Sequence, residues 1–71
     1  MKPLPFREVR RKLLRKGFVE VGQTGSHVKF ALFASHGTIT AVVPKHREIA
    51  SGTLRSIIRQ AQISEEEFNN L

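Results

Sequence analysis

The stretch that decides the fold is Ser26-His27-Val28-Lys29-Phe30-Ala31-Leu32-Phe33. It sets His27, Lys29, Ala31 and Phe33 against Val28, Phe30 and Leu32, the period of two that marks a strand with one face on a core. Val28, Phe30 and Leu32 are the inner set, so His27 and Lys29 point outward. Phe33 lies at the strand end, where the alternation is free to lapse.

Working outward, Phe18-Val19-Glu20-Val21 reads as a preceding strand, with Gln23-Thr24-Gly25 as the turn between them. Ser35-His36-Gly37 closes a second hairpin onto Thr38–Val43, a β-branched run ended by Pro44. Before the strands, residues 6–16 read as a helix: Phe6, Val9 and Leu13 recur at helical spacing with Leu14 beside them. Pro5 suits its first position and Gly17 its stop. Arg7, Arg11 and Arg15 fall on one outer stripe, flanked by Glu8 and Lys12. After the strands, Lys45–Ala50 is a basic connection. A second helix follows, capped by Ser51 or Gly52, with Leu54, Ile57, Ile58 and Ala61 as its apolar stripe. Ser64-Glu65-Glu66-Glu67 is a capping box opening a short last helix, with Phe68 and Leu71 facing inward. The order is α-β-β-β-α-α. The expected fold is α+β, a three-stranded antiparallel meander with the helices on one face and His27 and Lys29 on the other.

Seventy-one residues make one domain, spanning 1–71, and there is no cysteine. No apolar run is long enough to span a membrane, and Met1-Lys2-Pro3-Leu4-Pro5 has no signal-peptide core. The expectation is a cytoplasmic protein with no membrane association. Charge is the strongest compositional fact. Residues 1–63 hold all twelve lysines and arginines and only three acids, a net of +9. Such a field draws polyanions, nucleic acid first and an acidic protein second.

His27 is the candidate for chemistry. An imidazole takes and gives a proton near neutral pH. RNA brings its own nucleophile, the 2′-hydroxyl, so a small enzyme needs a base, a cation and a grip on phosphate. Lys29, on the same face, can offset charge growing on the phosphorus. The alternative is a surface histidine without a role. Ser26 projects to the other face, where its hydroxyl supports the turn. His36 reads as a turn residue. His46 either touches phosphate or hydrogen-bonds backbone to fix the strand–helix corner, the second reading being favoured. Three histidines without short ligand spacing and without cysteine argue against a metal site, and no cofactor is expected. The helix start Ser51-Gly52-Thr53-Leu54-Arg55, with Lys45 and Arg47 upstream, is either an ordinary cap or a phosphate contact. The candidate phosphate-binding set is Lys29, Arg7, Arg11, Arg15, Lys45, Arg47, Thr53 and Arg55.

Four stretches carry a family resemblance: Gly25-Ser26-His27, Val43-Pro44-Lys45-His46, the run Gly52-Thr53-Leu54-Arg55-Ser56-Ile57-Ile58-Arg59-Gln60-Ala61, and Ser64-Glu65-Glu66-Glu67-Phe68. Together they resemble the HicA toxins of bacterial and archaeal HicAB toxin–antitoxin modules, from Phe6 to Leu71. The resemblance implies a double-stranded-RNA-binding-domain-like fold, an mRNA interferase activity, and His27 as catalytic residue. It also implies an antitoxin partner, HicB, that forms a hetero-oligomeric complex and blocks the active site. Two positions depart from the family. Val28 stands where many members have a second histidine, leaving the chemistry to His27. Gln62 stands where many have glycine, and is expected to extend the helix. Two rivals share the same features: a non-catalytic double-stranded-RNA-binding module, and a basic domain that only docks an acidic protein.

Overall fold

The structure is a computed structural model that describes residues 1–71. Its elements are α1 (Phe6–Lys16), β1 (Val19–Thr24), β2 (His27–Ala34), β3 (Gly37–Pro44), α2 (Ser51–Ala61) and α3 (Glu65–Asn69). The strands pair antiparallel in the order β1-β2-β3, as the meander predicts. The helices lie on one face, giving a slab of 33 × 30 × 17 Å.

The β2 alternation fixes which face is which. Val28, Phe30, Ala41 and Val43 are buried under the helices with Val9, Leu13, Leu54, Ile57, Ile58 and Phe68. Leu32 is only partly buried, packed at the margin of that cluster. The alternation does not lapse at Phe33. The β2–β3 ladder continues through Phe33 opposite Thr38, and Phe33 stays on the outer face, 69% exposed. Ala31 also belongs to the outer face but is buried, its small side chain flanked across the strands by Val19 and Thr40.

Several boundaries shift from the sequence expectation. Phe18 is not in a strand: its N–H donates to Leu13 O, closing the end of α1, and its ring is buried. β1 instead runs on to Thr24, opposite His27, so the turn is Gly25-Ser26. Gly25 has φ +58°, the left-handed backbone that two-residue hairpins require at this point. The turn is braced by the Gln23 side-chain amide donating to Gly25 O at 2.9 Å, not by the Ser26 hydroxyl. A bulge at Val21 lets a six-residue edge strand follow a straighter neighbour. On α2 the cap residue is Ala50, which has no side-chain acceptor, and Ser51 and Gly52 lie inside the helix.

α3 accounts for the largest departure. Its capping box forms as expected, with Glu67 N–H donating to Ser64 Oγ at 3.0 Å. Phe68 then inserts fully into the core and draws α3 back over α1. Lys12, expected on the outer flank, becomes buried there. Its Nζ donates to Phe68 O at 3.1 Å and lies 5.2 Å from the Phe68 ring centroid. The aliphatic stem packs while the ammonium caps the negative end of α3.

Gln62 does not extend α2. It ends the helix in the left-handed conformation, φ 59° and ψ 41°, with its N–H on Arg59 O. That conformation strains any residue with a Cβ, which is why glycine suits the position. Gln62→Gly is expected to stabilise the fold by about 0.5–1 kcal/mol, after allowance for the added freedom of the unfolded chain. Thermal unfolding checks it: a Tm rise of a few degrees is expected.

Candidate active site

The outer face of the sheet centres on His27, the first residue of β2. Its neighbours are Thr24 on β1 and Pro44 on β3. Lys29 follows on the same face, between Gly22 and Val42. Both side chains are exposed, and neither makes a hydrogen bond or ion pair within the chain. No acid shares this face. β2 and β3 have none, and Glu20 of β1 is paired with Phe30 on the helix side, where it bonds Arg10 of α1. An imidazole and an ammonium therefore stand together without a counter-charge.

The hydrogen-bonding register explains why Pro44 sits beside His27. Lys45 N–H donates to Ser26 O, which makes Ser26–Lys45 a hydrogen-bonded pair and His27–Pro44 the close, non-hydrogen-bonded one. At such a position the β3 N–H points away from the sheet, so proline loses no ladder bond. The same logic turns Val42 N–H outward, where Gln60 Oε1 of α2 accepts it at 3.0 Å. That bond ties α2 to the free edge of β3.

Beyond Pro44 the chain is pinned to α1. Phe6 N–H donates to His46 O at 3.1 Å, and Leu4 and Ile49 exchange backbone hydrogen bonds. The strand–helix corner is thus fixed by the main chain of His46. Its imidazole, expected to hold the corner, is exposed and has no partner. Lys45 Nζ lies 5.9 Å from the Phe6 ring centroid, which places a cation at the first turn of α1. Arg7 is in that turn and Arg47 is in the same connection. Thr53 and Arg55 lie at the start of α2, where no side chain caps the helix. Arg55 is 4.0 Å from Glu65.

The other members of the arginine stripe are engaged elsewhere. Arg11 bonds Glu8 at 3.0 Å and Leu71 O at 3.1 Å, and Arg15 reaches Leu71 O at 3.4 Å. The Arg11 hydrogen bond and charge hold the Glu8 carboxyl below its usual range, and Glu8 raises the Arg11 guanidinium in return. Lys16 pairs with Glu67 of α3. α1 therefore presents its cations largely to α3 and β1, on the helix side of the slab and away from His27. The only cleft, about 360 Å³ between the N-terminal segment and α3, is lined by Met1, Lys2, Leu4, Lys12 and Asn69 and contains none of the candidate residues. No helix is long and apolar enough to cross a membrane.

An open sheet face that carries an exposed imidazole and an ammonium, with the helices packed on the other side, defines a small α+β domain. The family described as the HicA toxin of bacterial toxin-antitoxin matches residues 6–63, more than half of the chain, and the protein belongs to that family. It is thus a toxin of the kind that is paired with an antitoxin. None of the curated proteins matches it.

Proposed function

We propose that this toxin is an RNA endonuclease, an mRNA interferase that works without a metal and acts through His27. The observation that carries the reading is His27 itself: exposed at the head of the central strand, beside Lys29, on a face without acids. A base removes the 2′-hydroxyl proton, and the 2′-oxygen forms a bond to phosphorus. The 5′-oxygen leaves and takes up a proton. The products are a 2′,3′-cyclic phosphate and a 5′-hydroxyl. His27 serves as base toward the 2′-hydroxyl or as acid toward the leaving oxygen. Lys29 offsets the charge that gathers on the phosphorus centre. Arg7, Lys45, Arg47, Thr53 and Arg55 hold neighbouring phosphates, while Arg11 and Arg15, engaged with Glu8 and Leu71 O, are left out of the contact. A HicB-type antitoxin inhibits by covering the same face in a hetero-oligomeric complex, and an RNA target places the activity in the cytoplasm.

RNA cleavage in EDTA tests the reading. Cutting with cyclic-phosphate ends is expected, and it weakens as salt rises. If five cations meet phosphates, affinity falls about 100-fold between 50 and 200 mM salt. Binding without cutting identifies the non-catalytic RNA-binding module instead. A flat salt response removes the phosphate contacts.

A further inference from the structure

We infer that His46 is the second proton-transfer group of the cleavage, dividing the acid and base steps with His27; this rests on the reading of His27 above. The transphosphorylation needs two proton transfers, one from the 2′-oxygen and one to the 5′-oxygen. A single imidazole on an open sheet leaves one of them unassigned, and Val28 is buried against the core.

The register brings the two histidines to one corner. His27 and Pro44 form a non-hydrogen-bonded pair, with Cα atoms about 4.5 Å apart. His46 N–H donates back to Pro44 O at 2.9 Å, a tight turn that keeps His46 beside the strand end. The two histidine Cα atoms are therefore no more than about 12 Å apart. Two imidazoles and one phosphodiester can span a backbone separation of that size. His36 is at the opposite end of β2, more than about 20 Å away, and is out of reach.

Both rings are free for the task. Each histidine is exposed and neither imidazole makes a hydrogen bond, so all four ring nitrogens are available. The His46 backbone is nevertheless held on both sides, by Phe6 N–H on its carbonyl and by its own N–H on Pro44 O. The main chain at His46 is thus fixed, and its imidazole is left open to a substrate oxygen. In the step, one histidine accepts the 2′-hydroxyl proton as the P–O2′ bond forms. The other, protonated, gives its proton to the 5′-oxygen as the P–O5′ bond breaks. Proton count and charge balance across the pair.

The test uses the full chain and two RNA oligonucleotides containing the site that the wild type cuts. One is natural; the other has sulfur in place of the bridging 5′-oxygen, so that its thiolate departs without a proton. His46→Ala and His27→Ala are each expected to slow natural RNA cleavage by about 10²–10⁴-fold. The thio linkage is expected to restore one variant to near the wild-type rate and to leave the other slow, because only one histidine serves the leaving group. Unchanged thermal unfolding of His46→Ala excludes a folding defect, and His46→Asn replaces it if the alanine variant melts early. Wild-type cutting by His46→Ala beside an inactive His27→Ala overturns this inference and leaves the His27 reading intact. An identical response of both variants to the thio linkage overturns the division of roles. Failure of the wild type to cut any RNA, so that no such site is found, removes the endonuclease reading itself.

Discussion

His27→Ala is expected to abolish toxicity and to lower RNA cleavage by about 10²–10⁴-fold, the usual contribution of a general acid or base. The fold should not register the change. The imidazole is exposed and makes no hydrogen bond, and the strand pairing at this position is backbone only. A surface substitution of this kind stays within about 0.5 kcal/mol of the wild type. The variant should therefore unfold at the wild-type temperature, bind RNA with the same salt dependence, and still associate with the antitoxin. Those three measurements separate lost chemistry from lost structure. An alanine variant that cuts as fast as the wild type would remove His27 from the mechanism, whatever the family relationship implies.

What the sequence carried and what it did not divide along a physical line. The faces of β2 were legible because the period of two is a local property, and the burial of its side chains follows it from His27 to Phe33 except at Ala31, which is small enough to be covered by its neighbours. The Ser64 capping box and the Gly17 stop were legible for the same reason: each is a contact within one turn of backbone. Lys12 was not. It is charged and lies at the margin of the α1 stripe, and only the return of α3 over α1 buries it. The fates of Arg11 and Arg15 follow from the same event, since Leu71 O is fifty-six or more residues away in sequence. Gln62 resembled a helix residue because glutamine is a good helix former, yet the packing of Phe68 requires a sharp corner there. His46 shows the limit most clearly. Its residue type pointed to a polar role at the corner, and its position delivered that role through the main chain, which every residue except proline can supply. The side chain is thereby left over for another use.

The second large effect is expected from a pair of phenylalanines on one strand. Phe30 is fully buried, its ring centroid 6.4 Å from that of Phe6, while Phe33 on the opposite face is 69% exposed. Removing the buried ring leaves a cavity beneath the centre of the sheet, and Phe30→Ala should cost about 3–5 kcal/mol. For a chain of this size the whole stability is about 4–10 kcal/mol. The variant should therefore be largely or wholly unfolded, and Phe30→Leu provides a folded comparison with a smaller loss. Phe33→Ala should change stability by no more than about 0.5 kcal/mol. Chemical denaturation of the three variants measures the difference directly. The contrast reaches beyond the core, because Phe33 and His27 share a face and Phe30 and Val28 share the other. A slip of one residue in the strand register would turn every side chain over. Should Phe33→Ala prove as costly as Phe30→Ala, the outer face would be a buried one, His27 would be shut away from any phosphate, and neither histidine could do the chemistry assigned to it. A large cost at Phe30 with none at Phe33 instead fixes the face that carries His27 as the one open to solvent.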